Sequence, residues 1–215
     1  MKKTALYLMI LAVCFPAAAQ TSLNRGTLRV YQDINRNPNQ YTDNQTIQTI
    51  VIDRTARTLP DEAFVGTSVR NITFEEPAAI AVIPAGAFSD SYSLTSIHLP
   101  SSLRTIEASA FGSCTSLQRI TLPLGLETIQ DTAFWNTRIS RLYVPDTVTY
   151  IGAGILHNIM SLESIRLPEG ADVDISNEFS GVYSQNEQKA GVYMKIDNTW
   201  IYRPDMAEND FNAAR

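Results

Sequence analysis

Residues Leu94 to Ser161 carry one pattern three times over, and that periodicity restricts the possible fold more than any other feature of the chain. Stacked as lines, LTSIHLPSSLRTIEASAFGSCTS is followed by LQRITLPLGLETIQDTAFWNTR and then by ISRLYVPDTVTYIGAGILHNIMS. The lines begin at Leu94, Leu117 and Ile139, so the periods are 23 and 22 residues. Self-similarity at this length is the mark of a solenoid. Each repeat makes one coil and hides its apolar face only by stacking on its neighbours.

Counting the first apolar residue as +0, the template is apolar at +0, +3, +5, +9, +12 and +17, with a small residue at +16. Ile47 starts such a unit through Ile50, Ile52, Ala56, Leu59, Ala63 and Phe64. Val69 starts another with Ile72 and Phe74, then slips by two extra residues before Ile80, Ile83, Ala87 and Phe88 restore the phase. Leu162 opens a sixth unit with Ile165, Leu167 and Phe179, but Asp174 occupies its +12 core slot, as suits a terminal repeat. Within each unit, +3 and +5 share one face of a short strand and +2 and +4 the other. Proline at +6 (Pro100, Pro123, Pro145, Pro168) lacks an N–H and ends the strand. The +9/+12 pair lies on a second extended segment, and the Ala-Phe pairs Ala110-Phe111 and Ala133-Phe134 fill the coil interior. In the fifth unit Ile155-Leu156 takes their place, a tolerable change of shape.

The flanks differ from the repeats. Lys2 and Lys3, the apolar run Ala5 to Phe15 and the small residues Ala17, Ala18 and Ala19 predict a Sec signal peptide over 1–19. Leu11-Ala12-Val13-Cys14 resembles a lipobox, so lipidation of Cys14 is an alternative to cleavage after Ala19, and the only route by which a membrane enters the reading. The chain is therefore expected to be exported to the cell surface, an outer membrane or the medium, with the periplasm an alternative. Residues 20–46 read as a polar lead-in with a capping strand around Leu28 and Val30. The repeats then occupy 47–184, a β-hairpin with an Asp197-Asn198 turn occupies 185–204, and an acidic, frayed tail 205–215.

Composition narrows the function classes. A chain of 215 residues with 44% hydrophobic and 18% charged residues is neither disordered nor a polyelectrolyte. Its net charge of −5 opposes binding to nucleic acid. With Cys14 removed, Cys114 is the single cysteine, which predicts no intrachain disulfide and a packed thiol. His98 and His157 fall on different sides of the coil without companions at zinc-like spacing. Asp33-x-Asn35-x-Asn37 imitates the start of a calcium loop, but Pro38 stands where glycine is needed and Asn44 where glutamate is. Glu75-Glu76 lies in an insertion and reads as a solvated loop. Neither a nucleophile elbow nor a phosphate or dinucleotide loop is present. The expectation is a protein without metal, small-molecule cofactor or catalytic residues.

The stretch LTSIHLPSSLRTIEASAFGSCTSL resembles the BspA-type leucine-rich repeat of bacterial surface proteins, over about 47–180, and KAGVYMKIDNTWIY is similar to the hairpin closing some members. That resemblance implies a right-handed leucine-rich-repeat solenoid of short parallel β-strands, turns and short helical pieces, with the +0 to +5 strands lining a concave face. It also implies surface exposure and adhesion to host matrix proteins or other cells.

What can vary between such proteins is the outward pair of positions. The +2 column reads Thr49, Asn71, Ser96, Arg119, Arg141, Ser164, and the +4 column Val51, Thr73, His98, Thr121, Tyr143, Arg166. Arg119, Arg141, Tyr143 and Arg166 gather towards the C-terminal half, with His98 nearby, and arginine and tyrosine are the residues of interface hot spots. These five are the candidate ligand-binding residues. Six strands at ~4.8 Å and about 20 Å of strand give roughly 600 Å², less than the ~800 Å² per partner of a standard interface. A weak or multivalent protein contact is expected. A structural subunit of the bacterial envelope is the alternative.

Overall fold

The structure, a computed structural model, describes residues 20–24, 27–31, 47–170, 186, 189–204 and 206. The signal and lipobox residues, the Asp33–Asn37 motif, Asp174, Phe179 and most of the tail lie outside the described residues. In chain order the strands are β1 (Gln20–Asn24), β2 (Thr27–Tyr31), β3 (Thr49–Ile52), β4 (Asn71–Phe74), β5 (Val82–Ile83), β6 (Ser96–His98) and β7 (Thr105–Ile106). They continue as β8 (Arg119–Thr121), β9 (Thr128–Ile129), β10 (Arg141–Tyr143), β11 (Tyr150–Ile151), β12 (Ser164–Leu167), β13 (Gly191–Ile196) and β14 (Thr199–Arg203).

The coils stack in register. Ile50 pairs with Ile72, Ile72 with Ile97 and Ile97 with Ile120 along one parallel ladder, and Leu142 pairs with Ile165 along the next. These +3 residues are buried because the strand's two-residue side-chain period sends them to the core, and each lies over its counterpart in the coil before. A second parallel sheet, β11-β9-β7-β5, brings the +12 residues Ile83, Ile106, Ile129 and Ile151 into the same core. Between the sheets the phenylalanines stack: Phe64 on Phe88, Phe88 on Phe111 and Phe111 on Phe134, with centroids 5.6, 5.4 and 5.7 Å apart. All four are fully buried.

The third side of each coil departs from the expected short helical pieces; among the described residues there is no helix. Residues with left-handed backbone recur there every fourth position: Glu62 and Gly66, Gly86 and Asp90, Ser109 and Ser113, Thr132 and Asn136, Gly154 and Asn158, with φ between 53° and 68°. A right-handed helix cannot contain that rhythm. What forms is a ribbon of turns in which alternate N–H groups bond along the coil and between coils. Gly86, Phe88 and Asp90 donate to the carbonyls of Ala108, Ala110 and Gly112 in the next coil at 2.9, 2.9 and 2.8 Å. The N–H groups between them turn back, Ala87 to Pro84 and Ser89 to Gly86. The ribbon thus acts as a third inter-coil ladder and satisfies backbone that the buried phenylalanines pull against the core.

A hairpin extends the sheet at either end. β1 and β2 pair antiparallel, and β2 adds to β3 in parallel, carrying Leu28 and Val30 into the core. At the other end β13 runs antiparallel to β12 and turns through Asp197 and Asn198 (φ 48° and 64°) into β14. Two successive positive φ values are what a tight two-residue hairpin turn requires. The hairpin faces the core with Tyr193, Trp200 and Tyr202, so Val192, Met194 and Ile196 form its other face.

Candidate functional site

The hydrogen-bonded registers define two columns on the face turned from the core, exposed or half-exposed in places but with Ser164 and Val192 buried. One runs Thr27, Thr49, Asn71, Ser96, Arg119, then Arg141, Ser164, Met194, Ile201. The other runs Arg29, Val51, Thr73, His98, Thr121, then Tyr143, Arg166, Val192, Arg203. Strand ladders are continuous from β1 to β8 and from β10 to β14; β8 and β10 abut at the interruption, joined by Ser140 N–H to Gln118 O at 3.3 Å. Arg119 and Arg141 follow those two residues and stand side by side across the break.

The five candidate residues fall into two kinds. Arg119 and His98 are exposed and Arg141 half-buried, and among the described residues none of these three has an ion pair or a side-chain hydrogen bond. Arg166 is engaged. Its Nη1 and Nη2 reach the two carboxylate oxygens of Asp146 at 2.6 and 2.7 Å, and Nη1 also donates to the carbonyl of Val144 at 3.0 Å. Its guanidinium carbon lies 5.1 Å from the centre of the Tyr143 ring, and only 13% of the side chain is exposed. A two-pronged ion pair with a cation over an aromatic face fixes both partners. Arg166 therefore orients Tyr143 and neutralises its own charge on Asp146.

The opposite end of the same face carries a network that sequence patterns do not disclose. Arg29 bridges Asp53 (3.0 Å) and Glu75, and a polar cleft opens there between Arg29, Asp53, Arg54, Glu75 and Glu76. Hydrogen bonds from the Thr55 hydroxyl and N–H hold the Asp53 carboxyl below its ordinary range. Glu76 is exposed, as expected of its insertion, yet its carboxylate is engaged. It accepts from the N–H and hydroxyl of Ser101 and from the N–H of Ala78, which lowers its pKa and ties the insertion to the next coil. The signal in the sequence was the pair of extra residues, whose purpose shows only when the coils are stacked.

Cys114 is buried and donates to the Phe88 carbonyl at 3.1 Å; burial pushes its thiol up to about 12. A nucleophilic cysteine needs the reverse shift. Among the described residues no group of three His, Cys, Asp or Glu side chains could hold a metal ion. His157 lies on the turn ribbon, away from His98 on the sheet.

Known proteins agree with this geometry. The BspA type leucine rich repeat region matches in six copies, over residues 32–163 and 81–186. The chain belongs to this family. No curated protein matches it. Among solved structures, it is similar to a leucine-rich repeat protein of T. pallidum, at 26% identity over 72% of this chain and 71% of that one, with a TM-score of 0.53. A leucine-rich repeat protein from Eubacterium ventriosum aligns at 18% identity over 87% of this chain and 47% of its own, with a TM-score of 0.62. The pneumococcal vaccine antigen PcpA aligns at 18% over 86% and 52%, with a TM-score of 0.51. At that identity the last two show the fold, and this chain spans about half the length of each.

Proposed function

We propose that this BspA-type protein is a non-catalytic binding module, exported to the cell surface or secreted, that contacts host matrix proteins or other cells through the outward face of its principal sheet. The observation that carries the reading is the cluster of Arg119, Arg141 and Tyr143. Two arginines without ion partners among the described residues stand beside a tyrosine that a third arginine, Arg166, holds in place. Arginines on an ordered face without ion partners among the described residues are natural material for an interface, and arginine and tyrosine dominate interface hot spots. His98 borders the cluster on β6, the strand that pairs with β8.

The size of the face sets the kind of contact. Nine strands from β2 to β14 carry the two columns, about 43 Å of stack at ~4.8 Å each, but strands of three or four residues are only about 10–13 Å long. Roughly 500 Å² falls short of the ~800 Å² that a standard interface buries per partner. A single copy is therefore expected to bind weakly, and avidity to come from several copies on one surface.

The test is a binding screen of the exported protein, displayed as a multivalent bead, against matrix proteins and host cells. Arg119→Ala, Arg141→Ala and Tyr143→Ala are run beside the unaltered chain. Binding that all three substitutions weaken supports the reading. Absence of any host ligand, together with capture of a defined bacterial envelope complex, would assign the chain to envelope assembly instead.

A further inference from the structure

Arg119 and Arg141 have a third companion. Arg138 lies three residues before Arg141, at the corner where the coil enters β10, and is exposed. Among the described residues none of the three makes an ion pair or a side-chain hydrogen bond, although Arg29, Arg104 and Arg166 each meet a carboxylate. The strands bearing Arg119 and Arg141 abut, joined just before those residues by Ser140 N–H to Gln118 O at 3.3 Å. Like charges facing each other across strands lower stability. A chain of net charge −5 nonetheless places Arg119 and Arg141 on the two strands that abut where its principal sheet is interrupted, with Arg138 at the corner leading into the second. Along their column the two strand arginines are flanked by the half-exposed Ser96 and the buried Ser164, and of the pair Arg119 is exposed and Arg141 half-buried.

From this arrangement we infer that the Arg119–Arg138–Arg141 cluster takes an acidic segment of a polypeptide partner, and the inference rests on the binding reading above. The guanidinium fork matches a carboxylate through two parallel hydrogen bonds, which an ammonium cannot reproduce. Successive carboxylates on an extended segment lie at alternate residues, about 6.5–7 Å apart, a spacing that two long side chains on adjacent strands can meet. Tyr143, two residues beyond Arg141 and steadied by Arg166, offers a ring for an apolar side chain of the same segment. The net negative charge of the chain repels an acidic partner at long range. Recognition therefore comes from close contact rather than steering, and salt weakens it through the local pairs.

The experiment measures fluorescence anisotropy of a labelled oligoglutamate peptide with the full chain, with heparin as a second probe. Saturable binding is expected, about tenfold weaker for each of Arg119→Ala and Arg141→Ala, weaker again between about 0.1 M and 0.5 M salt, and unchanged in Arg54→Ala. Equal unfolding temperatures of all variants exclude loss of fold as the cause. Binding of heparin without oligoglutamate overturns the inference in favour of a sulfated glycan. Oligoglutamate binding that ignores both arginines overturns it outright. A host protein that binds through Tyr143 but ignores salt, oligoglutamate and the arginines also overturns it, while leaving the binding function standing.

Discussion

At position +20 of successive coils sit Thr67, Ser91, Cys114, Thr137 and Ile159, all buried. Ser91 and Cys114 spend their polar hydrogens on carbonyls of the preceding coil, Phe64 and Phe88. The hydroxyl of Thr137 has no partner among the described residues. A buried polar atom left unsatisfied costs about 1–3 kcal/mol, so Thr137→Val is predicted to stabilise the protein by about 1 kcal/mol and raise the melting temperature by roughly 2–4 °C. A lower melting temperature would mean the hydroxyl is satisfied after all. Cys114 gives a pH-dependent counterpart. Its folded pKa of about 12 exceeds the ordinary value of 9.0, so the unfolded chain loses this proton first. The thiol's contribution to stability is complete below pH 9 and is lost as pH rises from there towards 12. Cys114→Ser, which mimics Ser91 one coil earlier, should show a smaller alkaline loss of stability than the unaltered protein. Equal losses in the two chains would contradict the assigned cause.

Among the elements, the strands and the phenylalanine column were legible in the sequence because both follow from side-chain periodicity. The turn ribbon was not. Its rule concerns backbone sign, and the left-handed positions are filled by Gly, Asp, Ser, Asn, Thr and Glu rather than by one residue type. The run Gly66, Asp90, Ser113, Asn136, Asn158 at +19 was the available signal, since Gly, Asn and Asp tolerate positive φ. The ribbon makes two glycine substitutions distinguishable. A Cβ on Gly66 meets nothing within 4 Å, so Gly66→Ala should cost only the left-handed penalty, about 1–2 kcal/mol. A Cβ on Gly152 would lie 2.4 Å from the Asp131 nitrogen and 2.6 Å from the Gln130 carbonyl carbon, where backbone must move. Denaturant unfolding should therefore show Gly152→Ala to be clearly the worse of the two; equal costs would refute that close approach. The phenylalanine stack yields a similar contrast. Phe111→Ala should cost about 3–5 kcal/mol, whereas Phe111→Leu should cost far less, because Leu156 already serves that position in the fifth coil. Similar costs for the two would mean that the stack, not its volume, holds the coils.

For the molecule as a whole, stacked coils leave two open ends, and the hairpins β1–β2 and β13–β14 occupy them by extending the principal sheet. The C-terminal hairpin was visible in the sequence from its alternation, but which of its faces meets the core was not, since both carry large side chains. Tyr193 settles it: fully buried, its hydroxyl bonded to the Lys189 carbonyl at 3.0 Å and its ring 4.9 Å from that of Tyr202. Tyr193→Ala is expected to loosen the hairpin and free the edge of β12, giving aggregation that grows with protein concentration in light scattering. A monodisperse variant would show that the cap is dispensable. The outward arginines were legible as positions, because the template predicts which residues point out. The Arg166–Asp146 pair that distinguishes a supporting arginine from Arg119 and Arg141 was not, because Asp146 belongs to the turn after its strand and only the stacked coils bring the two together. If core positions make the coil and the outer sheet face around β8 and β10 makes the contact, hydrogen exchange of the protein with and without a captured ligand should show protection confined to residues 117–121 and 139–143. Protection on the ribbon at 131–136 and 153–158 instead would place the contact elsewhere.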